Sequence, residues 1–278
     1  NNFILLKKET KYIKLLLDAL MEFSDWSMLD LRDIREKSVT AEALNSISSE
    51  NEELRLNMRV KTLCPYIRLP ASIEIYKKRL SKNMRRNLRK RMKKLSRMYK
   101  VKFISQSEFN SVSEAMEIFF KLHQKRWKAK GKSGAFSSEN FRRFHLELAK
   151  IFDEKGWLGL HFLVLDDEPV AAAYSFNYNM KKYGYLTGFD PDFGQFGIGN
   201  LLKMHIIEEC IRNGYKEYDL TRDFEPYKAD WATNIRKNYT ASLVRKGLFA
   251  KIYNCFTRSN ISSLLYDKFG LHLSSQNL

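Results

Sequence analysis

The sequence predicts a mixed-sheet α/β fold of the α+β kind, and three observations carry that prediction. Between residues 101 and 246, strand-like and helix-like runs follow in the order β, α, α, β, β, β, α, β, α, β. The three central runs, WLGLHFLVLDD, EPVAAAYSFNYN and KKYGYLTGFDPDF, are separated only by the short polar stretches Asp166-Asp167-Glu168-Pro169 and Asn179-Met180-Lys181-Lys182. Connections that short are hairpin turns, so the three strands form an antiparallel meander. Gly197-Ile198-Gly199 then opens a helix, closed by Gly214, that leads into the buried strand YKEYDLTR. A helix-linked strand added to a meander gives a mixed sheet with helices on both faces.

Each element has a local reason. Residues 7–23 have the spacing of an amphipathic helix, and the run from Trp26 (WSMLDLRDI) alternates as a strand. A short helix over 40–48 precedes a half-buried strand over 53–63, where Leu54, Leu56, Met58 and Val60 alternate. Cys64 to Pro70 reads as an extended connector stiffened by two prolines. Ser72 caps a predicted long helix that runs to about Tyr99, with Leu80, Met84, Leu88, Met92, Leu95 and Met98 along one face. VKFISQ (101–106) is a short strand, and 108–130 and 138–155 are helices, the second entered from Ser137. After the meander and its helix-linked strand, PYKADWATNIR reads as a short helix, NYTASLVRK as a last strand, and 248–278 as helix-like pieces. Leu29-Asp30-Leu31-Arg32 and Tyr218-Asp219-Leu220-Thr221-Arg222 sit in matching helix–strand–helix settings. This weak repeat predicts a duplication. Residues 1–70 are the closing portion of a first domain, 71–100 a basic connecting helix, 101–247 a complete second domain, and 248–278 a helical tail.

Composition narrows the classes. At 44% hydrophobic residues, with 19 Phe and 14 Tyr, the chain can bury a core and is not broadly disordered. Three scattered cysteines, Cys64, Cys210 and Cys255, exclude a disulfide framework and suit a reducing cytoplasm. No apolar run approaches the ~18–20 residues of a membrane span, no His or Cys spacing predicts a metal site, and none is expected. The net charge of +17 is concentrated: fourteen Lys and Arg, with no Asp or Glu, lie between Lys77 and Lys102, leaving +3 on the remaining 252 residues.

Four places could carry chemistry. Gly194-Gln195-Phe196-Gly197-Ile198-Gly199 lies between a strand and a helix, where backbone N–H groups and the helix dipole hold a phosphate; the alternative is a plain turn. Asp219, Arg222 and Asp223 follow a buried strand, and Glu225, Tyr227 and Lys228 follow them. Lys228 there is placed to present an ammonium to a polarised carbonyl; the alternative is a helix start with surface ion pairs. His123 and Trp127 share one face of a helix with Arg126 nearby, either as substrate contacts or as packing. The basic run around Arg85, Arg86, Arg89 and Lys90 is either a solvated face or the seat of an anionic partner.

Taken in order, several short motifs resemble one known family. Cys64-Pro-Tyr-Ile-Arg-Leu-Pro, Lys82-Asn-Met-Arg-Arg-Asn-Leu-Arg-Lys, Leu122-His-Gln-Lys-Arg-Trp, Pro169-Val-Ala-Ala-Ala, Thr187-Gly-Phe-Asp-Pro, Gly197-Ile-Gly-Asn-Leu-Leu and Tyr218-Asp-Leu-Thr-Arg-Asp with Tyr227, Lys228 and Trp231 look like the CelD-like acyltransferases of the GNAT superfamily. Those proteins are related to the FemAB aminoacyl transferases. The resemblance spans about residues 64–245. It implies a tandem pair of GNAT-like domains that transfer an acyl group from a carrier to an amine, with acyl-CoA as co-substrate and no metal. Carried over by position, Gly197 and Gly199, with Gln195 and Asn200, match the pyrophosphate loop, and Tyr227 and Lys228 match the site motif. Lys228 would hold the oxyanion, positioned by Asp219 or Glu225. Tyr227 would protonate the leaving group or simply pack, and His123, Arg126, Trp127, Arg222 and Glu225 would line the substrate.

Two classes of function are thereby expected. The first is an acyltransferase, its donor either acyl-CoA or an aminoacyl-tRNA gripped by the basic helix. The second is a non-enzymatic RNA- or polyanion-binding protein on the same fold.

Overall fold

A computed structural model describes residues 9–23 and 26–245. Cys255 and the predicted tail 248–278 lie outside the described residues. The described chain divides into two compact units: residues up to Thr62 together with those from Lys237 onward, and Leu63–Arg236.

The first unit contains α1 (Thr10–Met21), β1 (Met28–Arg35), α2 (Val39–Glu50) and the start of β2 (Leu54–Arg68). The predicted α-β-α-β order holds. Ser38 caps α2 by accepting from the Ala41 N–H at 3.3 Å. Ile13, Leu17, Ile34, Leu44, Ile47 and Leu54 form its core with Ala241 and Leu243 of β8 (Asn234–Arg245). The greater part of the last strand thus belongs to this unit, where it pairs antiparallel with β1, Leu31 opposite Ala241.

The second unit is built on six strands in the order β2-β7-β6-β5-β4-β3. These are β3 (Val101–Ser105), β4 (Leu158–Leu165), β5 (Glu168–Tyr178), β6 (Lys181–Phe189) and β7 (Glu217–Asp219), with the end of β2. β4, β5 and β6 are the predicted meander. Both hairpins turn on paired left-handed residues, Asp166 and Asp167 (φ 47° and 71°) and Asn179 and Met180 (φ 48° and 55°), the twist that a two-residue hairpin requires. β7 is antiparallel to β2 and parallel to β6. The sheet is therefore mixed, as predicted.

Helices cover it. α5 (Val112–Lys128) and α6 (Glu139–Glu154) share a core with β4 and β5 built on Phe119, Phe120, Phe136, Phe162 and Tyr174. A second core joins α7 (Ile198–Arg212) to α3 (Ile73–Arg79), to α4 (Lys82–Met98) and to Trp231, which follows the short α8 (Pro226–Ala229).

Two expectations about local structure are corrected. The long helix from Ser72 is two helices. Leu80 is extended (ψ 145°) and Ser81 starts α4 afresh, accepting from the Met84 N–H at 3.1 Å. The apolar stripe continues across the break because Leu80 and Leu95 are both buried in the same core. The connector after Cys64 is also the end of strand β2, whose Pro65 carbonyl still accepts from the Leu220 N–H at 3.0 Å. Proline removes a donor and leaves the acceptor in place.

Candidate functional site

The parallel pairing of β6 with β7 covers only three positions, Lys181–Glu217, Lys182–Tyr218 and Tyr183–Asp219. β7 ends there, while β6 continues to Phe189. Residues 184–189 keep β5 on one side, and among the described residues no strand pairs with the other. The sheet opens at this point into a gap with a free backbone edge. The entrance of α7 meets the end of β6, where a Cβ on Gly199 would lie 3.7 Å from Phe189, and the loop from Leu220 to Glu225 follows β7.

Gly197 is the N-cap of α7 and is left-handed (φ 61°), a geometry that glycine adopts without cost. The Arg91 guanidinium of α4 covers it closely, so a Cβ at Gly197 would collide with that side chain. Gly199 has no such backbone need. A Cβ there would lie 3.7 Å from Phe189 Cδ1, in ordinary contact. Gln195 is exposed, and the Asn200 N–H is already bonded to the Gly197 carbonyl at 2.9 Å. The Ile198 and Gly199 N–H groups stand in the first turn, which has no carbonyls of its own helix to bond.

Arg126 reaches from α5 onto the continuing part of β6. It donates to the Thr187 carbonyl at 3.0 Å and to Thr187 Oγ1 at 2.6 Å, and its guanidinium lies 4.8 Å from the Phe189 ring centre. Its Nε is buried with no hydrogen-bond partner. One turn beyond Gly199, Lys203 of α7 holds its ammonium 4.6 Å from the centre of the Tyr227 ring and 5.5 Å from that of Trp231. Burial, reinforced by the charges of Lys228 and Arg126, pushes the Lys203 amine down to about 8. Burial, with the Glu225 carboxylate alongside, pushes the Tyr227 phenol up to about 12, so it stays a proton donor at neutral pH. Tyr227 is nonetheless 46% exposed, open to a ligand.

Lys228 is placed differently from the expectation. It is buried, and its ammonium donates to the carbonyls of Arg222 (2.8 Å) and Asp223 (3.1 Å), with Glu225 at 3.6 Å. Thr221 and Asp223 are both left-handed (φ 61° and 73°), and Lys228 ties this strained turn together. Asp219 does not position Lys228. Its carboxylate accepts from Arg236 at 2.8 Å and from the Thr221 N–H at 2.8 Å. Arg236 also bonds Glu217 at 2.8 Å and covers the Tyr66 ring at 4.3 Å, which makes the Asp219 region a buried charge network. Burial holds the Asp219 carboxyl up, against the pull of Arg236.

His123 is 1% exposed and packed against Phe119 and Phe136. Trp127 Nε1 donates to its Nε2 at 2.9 Å, and burial pushes the imidazole down to about 4. His123 and Trp127 therefore pack, and of the α5 trio only Arg126 faces the gap. Arg222 and Glu225 are exposed on the loop. Arg85, Arg86, Arg89 and Lys90 are exposed on α4. Lys203 and Arg236 were not foreseen. For Lys203 the signal was a lone lysine inside the otherwise apolar run NLLKMHII.

Residues 82–229, just over half of the chain, match the sequence family described as acetyltransferase (GNAT) domain. No curated protein matches in sequence. Among solved structures, FemX superposes with a TM-score of 0.62 at 10% identity, covering 97% of this chain and 82% of that one. L-PGS from Bacillus licheniformis superposes with a TM-score of 0.56 at 14% identity, covering 88% and 76%. At such identities the likeness is one of fold.

Proposed function

Since the chain belongs to the acetyltransferase (GNAT) family, we propose that it transfers an acyl or aminoacyl group from an activated carrier to an amine within the gap between β6 and β7. The observation that carries this reading is the gap itself: a free strand edge bordered by a helix N-terminus and by a half-buried cation, a phenol and a carboxylate. An extended donor arm bearing amides, such as that of acyl-CoA, fits the free edge of β6 as an added strand. Its phosphates suit the Gly197–Gly199 entrance of α7, where Gly199 leaves room for close approach.

The chain's own residues then divide the work. The amine attacks the carbonyl carbon, the new C–N bond forms, and the bond to the carrier's sulfur or oxygen breaks. The free N–H groups of β6 and the Lys203 ammonium stabilise the oxyanion, a kind of contact whose loss typically costs about 3–4 kcal/mol. Glu225 would accept the proton of the attacking amine, and Tyr227, kept protonated at neutral pH, would protonate the departing carrier. Lys228 holds the turn that leads into Glu225 and Tyr227.

Aminoacyl-tRNA is the second donor to consider, on the strength of the unpaired Arg126 Nε and of Lys203, which add positive charge to the gap. Calorimetric titration with CoA, and separately with tRNA at two salt concentrations, separates the donors. Saturable CoA binding supports the first, and salt-sensitive tRNA binding without it supports the second. With the donor identified, Tyr227→Phe should lower kcat by ~10²-fold while leaving donor affinity unchanged. Full turnover in that variant would remove Tyr227 from the chemistry.

A further inference from the structure

The charge concentrated between Lys77 and Lys102 has a place in the fold that acyl transfer does not use. α4, α7 and Phe103 of β3 enclose a cleft of about 780 Å³, within the ~300–1,000 Å³ of small-molecule sites. Its floor is aliphatic: Leu80, Leu88, Met92, Leu201 and Met204. Its rim is cationic: Lys82, Arg85, Arg86, Arg89 and Lys93. Lys77 and the acidic Glu208, also at the rim, already satisfy each other at 2.7 Å. Among the described residues no ion pair joins the other five cations to a carboxylate. Arg85 reaches only the Lys77 carbonyl, and Arg86 only the Asn83 side chain.

An apolar floor beneath a ring of uncompensated cations matches an amphiphile with an anionic head. We propose that this cleft docks the protein on an anionic membrane leaflet, seating one acyl chain of a phospholipid on the floor while the rim meets its phosphate and those of its neighbours. Attraction to anionic lipid grows with clustered Lys and Arg, and burial of the chain adds an apolar component that charge alone does not supply. A nucleic acid fits less well. Single-stranded RNA is held by aromatic platforms, whereas this floor is aliphatic. Its two aromatic rings, Phe103 and His205, are already stacked on each other, ring centres 4.2 Å apart and planes within 5°. A phosphate backbone would use the rim and leave the floor wet. The proposal does not rest on the acyl-transfer reading.

Co-sedimentation of the full chain with vesicles tests it. Vesicles of phosphatidylcholine containing phosphatidylglycerol should pellet the protein, and pure phosphatidylcholine should not. Replacing Arg85, Arg86 and Arg89 together by glutamine should weaken vesicle binding at least tenfold. Met92→Gln keeps the side chain's length and every charge, and should weaken it at least fivefold with the salt needed to elute the protein from heparin unchanged. Soluble dihexanoyl-phosphatidylglycerol should bind wild-type protein saturably in calorimetry, and glycerophosphoglycerol should not, a comparison that needs no variant to fold. The proposal is overturned if Met92→Gln binds vesicles like wild type, if the chain-free headgroup binds as well as the short lipid, or if tRNA is bound and the anionic vesicles are not.

Discussion

Lys228 shows how much a single contact changes the meaning of a motif. Its position after Pro226 and beside Tyr227 suggests a free ammonium aimed at an oxyanion. The structure instead gives that ammonium two backbone carbonyls, those of Arg222 and Asp223, at a turn with left-handed Thr221 and Asp223. Its role is therefore to position the loop. Lys228→Met should leave two partly buried carbonyls without a donor, at a cost of roughly 1–3 kcal/mol, and lower the melting temperature accordingly. Turnover should fall with kcat through the displacement of Tyr227 and Glu225, and Lys228→Arg should restore part of both. A Met variant as stable as wild type, with turnover alone abolished, would return Lys228 to direct contact with the reacting carbonyl. The sequence could not separate these readings, because the carbonyls that hold Lys228 depend on backbone angles of non-glycine residues. Nothing in Thr-Arg-Asp announces a left-handed turn.

Elements were more legible than the side chains between them. The two hairpins stood out because Asp166-Asp167 and Asn179-Met180 interrupt strong alternation, and both adopt the turns that such residues tolerate. The division of the basic helix at Leu80 was hidden, since the apolar stripe keeps its phase on either side and Ser81 looks like any polar position. The contact between α5 and β6 was equally hidden. A Cβ on Gly188 would strike the backbone nitrogen of His123, so this glycine lets α5 lie against the strand and brings Arg126 onto Thr187. Gly188→Ala should therefore destabilise the fold by about 1–3 kcal/mol, because the obstacle is main chain and cannot rotate away. Chemical denaturation measures this directly. An unchanged midpoint would show that the two elements have slack, and Arg126 would lose its rigid support.

For the whole molecule, the mixed sheet followed from the order of the elements, and the resemblance to GNAT acyltransferases agrees with the family match over residues 82–229. The course of the last strand did not follow. Its alternation identifies it as a strand, yet its pairing with β1 is a long-range contact that no local pattern encodes. The same holds for the site. Arg126, Lys203 and Tyr227 come from three separate stretches, and the contacts that bring Arg126 onto Thr187 and the Lys203 ammonium onto the Tyr227 ring join elements far apart in the chain. The acyl donor should occupy the gap between β6 and β7, which amide hydrogen exchange with saturating CoA, or with an aminoacylated tRNA, measures. One of these ligands should slow exchange at residues 184–189 of β6 and at the first turn of α7. Protection confined to α4, or none at either segment with both ligands, would contradict it.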